Sequence, residues 1–179
     1  MFKAMIQFIK SIIKGIIDLK ETTQELSGYR QVSPDAALMI KEFEGFRENA
    51  YLDSAGVWTI GYGNTYYADG TPVKKGDKIS RSDAELLFDD ILESFADEVN
   101  QLITVKINDC QFGAIVSLSY NIGITAFKKS TLLRKLNANP NDPAIEAEFA
   151  RWIKAGGKTL NGLVKRRKKE SDYYFNQNC

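Results

Sequence analysis

Between Phe46 and Lys78 the chain reads differently from everything on either side of it. β-Branched and aromatic residues occur there as Tyr51-Leu52, Val57-Trp58-Thr59-Ile60 and Thr65-Tyr66-Tyr67, with turn formers between them at Asp53-Ser54-Ala55-Gly56 and Asp69-Gly70. This pattern predicts short strands joined by turns, and hence a small antiparallel sheet. The flanks carry apolar residues at helical spacing instead. Ser33-Pro34-Asp35 offers a hydroxyl cap, a proline at the first helical position and an acid at the positive end of the helix dipole. Ala37, Leu38, Ile40 and Phe43 follow as the expected buried face, and the helix should stop at Glu44-Gly45. From Ser80, with Asp83 three residues on, Phe88, Ile91, Phe95, Val99 and Leu102 recur at the period of a long helix. More helices are expected after Asn108, after Ser130, after Asp142-Pro143 and from about Leu163 to Phe175. The class is α+β: a small sheet lobe set against a larger helical body.

With 179 residues, 44% of them hydrophobic and 26% charged, the chain can bury one sizeable core. A net charge of +1 supplies no field that draws a whole protein onto nucleic acid, so no nucleic-acid partner is expected. The chain has no histidine. A Ser-His-Asp triad, a Cys-His pair and a His-based zinc site are therefore impossible, and two cysteines cannot complete a four-ligand metal site. Neither metal nor other cofactor is expected, so chemistry has to run on carboxylates, hydroxyls, Lys or Tyr. Cys110 follows the polar pair Asn108-Asp109 and Cys179 ends the chain, so both thiols are expected to stay reduced.

Residues 1–19 place Phe2, Met5, Ile6, Ile9, Ile12, Ile13, Ile16 and Leu19 at steps of three and four, while Lys3, Gln7, Lys10 and Lys14 follow the opposite stripe. This predicts an amphipathic helix with a basic face, +3 over residues 1–20. Lys10 and Lys14 interrupt the apolar run, so neither a cleavable signal nor an ordinary transmembrane helix is expected. Three readings of the helix stay open. It packs on protein, either this chain or a second copy, it lies on an anionic membrane surface, or it is an unusual export anchor. A polar stretch from Asp18 to Gln31 reads as a linker, which divides the chain into residues 1–32 and a main domain of residues 33–179.

Glu44 at a helix end, Asp53 in a turn and Thr59 on the next strand fall within sixteen residues, close enough for short connections to bring them to one wall. A carboxyl that faces a sheet can hold its proton while one in a polar turn stays ionised, the division that acid and base roles need. Paired carboxylates of this kind suggest glycoside cleavage. Without further information they are equally two acids among many, with Asp53 a turn former and Thr59 a strand residue.

The run Ile40-Lys41-Glu42-Phe43-Glu44-Gly45-Phe46-Arg47, followed by Ala50-Tyr51-Leu52-Asp53 and Gly56-Val57-Trp58-Thr59-Ile60-Gly61-Tyr62-Gly63, closely resembles the tailed-phage lysozyme (endolysin) family, glycoside hydrolase family 24. The likeness continues through Ser119-Tyr120-Asn121-Ile122-Gly123, Ser130-Thr131-Leu132-Leu133, Arg151-Trp152, Gly156-Gly157, Gly162-Leu163-Val164 and Arg166-Arg167 with Glu170. It implies a lysozyme-like fold and hydrolysis of the β-1,4 bond between N-acetylmuramic acid and N-acetylglucosamine in peptidoglycan, ending in host lysis. Glu44 would be the general acid, and Asp53 with Thr59 would position water and steady an oxocarbenium-like transition state. An inverting outcome, which the family implies, needs about 6.5–9.5 Å between the carboxyl groups. The family commonly carries His after Gly-Tyr-Gly, where this chain has Asn64, which puts a stabilising ion pair in doubt but not the chemistry.

Asn121, Trp58 and Arg151 are the candidate substrate-binding residues; Asn121 is equally a plain helix cap, and Trp58 and Trp152 equally buried aromatics. Lys165-Arg166-Arg167-Lys168-Lys169 reads as a solvated basic face that could attract an acidic envelope. With no readable signal, the protein is expected to be made in the host cytoplasm and to act in the periplasm or cell wall after holin-type release, or to arrive there within a virion.

Overall fold

A computed structural model describes residues 30–53 and 56–178. The amphipathic helix expected over residues 1–19 lies outside them. So does the middle of the Asp53–Gly56 turn. The unit described here begins at Gln31.

Helix α1 spans Pro34–Glu44, with the Ser33 hydroxyl accepting from the Ala36 N–H as its cap. Ala36, Met39 and Ile40 form its buried face, and Leu38, expected inside, is exposed. The reason is close packing: an added Cβ on Gly113 of the central helix would lie 2.5 Å from the Ala36 Cβ, so the small residue and not the leucine faces inward. The helix stops where expected because Gly45 adopts φ +67°, a conformation that favours glycine.

Strands β1 (Arg47–Leu52) and β2 (Trp58–Gly61) pair antiparallel, with Tyr51 opposite Thr59 and Leu52 opposite Trp58. The third strand expected at Thr65-Tyr66-Tyr67 does not form. Only an isolated bridge joins Tyr66 to Pro72 there, and Pro72 has no N–H with which to extend a ladder.

Helix α2 runs from Arg81 to Leu102 as the spacing predicts, capped by Ser80 accepting from the Asp83 N–H. Helix α3 (Asp109–Ile122) is the centre of the body and is buried continuously from Cys110 to Ser119. A reciprocal capping box between Asn108 and Gln111 starts it. Short helices α4 (Ile124–Lys128), α5 (Thr131–Ala138) and α6 (Ala144–Phe149) follow; α4, an element the sequence did not predict, packs on α3, and α5 packs on α6. A two-residue hairpin, β3 (Lys154–Ala155) with β4 (Lys158–Thr159), turns over Gly156-Gly157 and leads into α7 (Asn161–Tyr174). The core gathers Phe88, Phe112, Ile115, Leu118, Leu132 and Phe149 around α3.

Cys110 corrects a further expectation. It is fully buried and disulfide-bonded, not a free thiol. Of the polar pair before it, Asn108 is the helix cap and Asp109 the first helical residue, while Cys110 itself is buried. Gln111 Nε2 and Tyr174 Oη both donate to the Pro140 carbonyl, so the last helix returns to the start of α3. The chain's other cysteine, Cys179, lies outside the described residues.

Candidate active site

The site is built where the end of α1 meets the hairpin. Glu44 is the last helical residue, and the turn after β2 approaches it so closely that a Cβ on Gly63 would sit 3.3 Å from Glu44 Oε2. Gly63 also has φ +87°, so a side chain there would be strained as well as crowded against the carboxylate. The turn is locked by backbone bonds in both directions between Ile60 and Asn64, and by the Tyr62 N–H donating to Asn64 Oδ1. Asn64 is buried and serves as the brace of this turn, a role that needs a short acceptor and no charge.

Asp53 closes the hairpin. Its Oδ1 accepts from the Val57 N–H at 2.8 Å, and its own N–H donates to the Val57 carbonyl. Thr59 is buried on β2, and its Oγ1 donates to the Val57 carbonyl at 3.1 Å. One hairpin therefore carries both Asp53 and Thr59, and its outgoing turn lies against Glu44.

From the other side Arg166 of α7 donates to Glu44 Oε1 through Nη1 at 2.6 Å, with the Arg166 side chain only 6% exposed. Its Nη2 donates to the Ser117 carbonyl and its Nε to Glu170 Oε1. Burial pushes the Tyr120 phenol up, and Glu44 pushes it further, so Tyr120 stays protonated and donates to the Tyr62 carbonyl. Burial brings the Arg167 guanidinium down to about 10, against the pull of Glu170.

The three substrate-binding candidates are placed differently. Asn121 is exposed, and its Oδ1 accepts from Arg167 Nη2, which leaves its amide N–H₂ as the group to offer a ligand. Trp58 is half-buried against the core. Arg151 is on the surface and pairs with Glu148, which also holds Lys135. That ion pair belongs to the α5–α6 side and is separate from the contacts that hold Glu44.

The family model described as phage lysozyme matches residues 41–170, which includes Glu44, the hairpin and most of α7. The chain belongs to the phage lysozyme family. It is 44% identical over 139 residues to an endolysin of Bacillus phage B103, covering 76% of this chain and 51% of that one. The chain thus spans about half the length of the Bacillus phage endolysins it matches. An endolysin from Escherichia coli O157:H7 phage FAHEc1 superimposes with a TM-score of 0.76 at 41% identity, covering 83% of this chain and 95% of that chain. The muramidase domain of SpmX from Asticaccaulis excentricus superimposes with a TM-score of 0.72 at 29% identity, covering 82% and 99%.

In this member of the family the basic run of α7 is not the solvated face it resembles. Lys165, Lys168 and Lys169 are exposed, whereas Arg166 and Arg167 are buried at 5% and 2%. The signal was available in Glu170, four residues beyond Arg166 and three beyond Arg167, the spacings at which helical side chains meet.

Proposed function

We propose that residues 33–179 are a peptidoglycan muramidase, cleaving the β-1,4 bond between N-acetylmuramic acid and N-acetylglucosamine during host lysis. The observation that carries this reading is the Glu44 carboxylate held at the helix end by Arg166, with the hairpin bearing Asp53 and Thr59 turned against it. Glu44 protonates the leaving oxygen. Asp53, anchored by the Val57 N–H, accepts a proton from the attacking water and stabilises positive charge as it develops on the sugar. The Thr59 hydroxyl donates its hydrogen bond to the Val57 carbonyl, so its lone pairs are what remain to orient that water. Asn121 offers its amide N–H₂ to an acetamido carbonyl and Trp58 its ring to a sugar face, whereas the Arg151 charge is engaged by Glu148.

Digestion of purified peptidoglycan with mass analysis of the fragments tests the reaction. New reducing-end N-acetylmuramic acid supports hydrolysis, and anhydro ends would make the protein a lytic transglycosylase instead. Residues 1–32 stand outside this chemistry. We propose for them a peripheral association with anionic membrane, on the strength of their basic stripe and apolar face, in a protein made in the cytoplasm and released to the wall through a holin-type pore.

A further inference from the structure

A general acid has to keep its proton until substrate arrives, and a lone guanidinium at hydrogen-bond distance works against that. Arg166 is not alone. Glu170 is completely buried, and its Oε1 accepts from Ser117 Oγ at 2.7 Å, Arg166 Nε at 3.0 Å and Arg167 Nη2 at 3.3 Å. Three donors converging on one oxygen suit a carboxylate and not a carboxylic acid. Arg167 Nε lies a further 3.0 Å from Oε2, outside hydrogen-bond geometry. Burial holds Glu170 above its ordinary value, and Arg167, Arg166 and the Ser117 hydroxyl pull it back.

We infer that Glu170 is a positioning residue for the proposed acid: it aims the Arg166 guanidinium at Glu44 and offsets its charge. This rests on the reading of Glu44 given above. The other charges around Glu44 are already engaged. Lys41 pairs with Asp89 of α2, Lys169 of α7 pairs with Glu42, and Arg81 of α2 stacks over Phe46 and donates to the Tyr62 hydroxyl. From β1, Arg47 lies over the Tyr51 ring, and from α3, Tyr120 is neutral. Beyond Glu44 itself, the charged group bonded to Arg166 among the described residues is Glu170, which Arg167 also contacts, and both lie on α7.

Two substitutions move the charge beside Arg166 in opposite directions, and the pH profile of kcat/KM on peptidoglycan reads them. Glu170→Gln keeps shape and removes a negative charge, so Glu44 releases its proton earlier. The basic limb should move down by roughly one pH unit, the lower end of what one guanidinium does to a neighbouring carboxyl. Arg167→Gln removes a positive charge and should move the same limb up. Limbs unmoved in both variants, with only the rate reduced, would overturn the inference. If Glu170→Gln fails to fold, Arg167→Gln decides alone: an upward limb supports the inference and a fixed one ends it. Glu44→Gln separates the two readings. Should that variant retain full activity, Glu44 is not the acid, and a carboxyl-carbon NMR titration of Glu44 in wild type and the Arg167→Gln variant still tests the coupling, with an unchanged midpoint counting against it.

Discussion

Glu44, Asp53 and Thr59 differ in what surrounds them, and that difference orders the consequences of removing each. Glu44→Gln keeps the shape of the side chain and an acceptor for Arg166 but has no proton to give. Activity on cell walls should fall at least about a hundredfold, the low end for a positioned acid, with the circular dichroism of the wild type retained. Asp53→Ala should be nearly as damaging because it loses a charge facing a developing cation. Thr59→Ala should cost less, since it loses only a hydroxyl whose proton is already committed to the Val57 carbonyl. A turbidity assay ranks the three, and equal, small effects from Asp53→Ala and Thr59→Ala would leave no water-activating pair at this hairpin. Spacing alone leaves these three positions as candidates, and it is the resemblance of the runs around them that singles them out. The roles of Arg166, Arg167 and Glu170 were not legible, because five consecutive basic residues look like a charged face, and only the fold shows that two of them point into a buried carboxylate.

At the scale of elements, starts were more legible than faces. Ser33, Ser80, Asn108 and Ser130 each cap the helix that follows them, because a short side-chain acceptor satisfies an N–H that the helix itself leaves unpaired. Ser130→Ala removes such a bond to Leu133 at a buried site and should cost about 1 kcal/mol in urea unfolding. Faces depend on the neighbour. Leu38 has the right spacing to be buried, yet Ala36 occupies the contact with α3 because the two backbones approach there. Gly113→Ala tests this directly: its Cβ would fall 2.5 Å from the Ala36 Cβ and 3.1 Å from the Tyr173 ring. It should destabilise the protein by about 1–3 kcal/mol despite the better helix propensity of alanine, and a thermal melt showing stabilisation would contradict the close packing of α1 on α3. The β3–β4 hairpin was invisible for a different reason, since two residues per strand give no alternation to read.

For the whole molecule the open relation is between the two ends of the charge pattern. Residues 1–20 carry +3 and eight apolar positions at helical spacing, whereas Glu44, Asp53, Thr59 and the arginines that support them all lie beyond residue 33. A chain lacking residues 1–28 keeps Ser33, whose hydroxyl both caps α1 and bonds the Tyr173 hydroxyl of α7, so the junction that fixes Glu44 is retained. Its activity on purified peptidoglycan should therefore stay within a few-fold of the full chain. Binding to anionic vesicles should drop. Each lysine near such a surface contributes about 1 kcal/mol, screened by salt, while the apolar face adds a contribution that salt does not remove. Co-sedimentation with phosphatidylglycerol vesicles at low and high salt separates these contributions: the full chain should bind at both, more weakly at high salt, and the truncated chain at neither. Equal sedimentation of the two chains would mean that the N-terminal segment packs on protein, and the membrane proposal would be withdrawn.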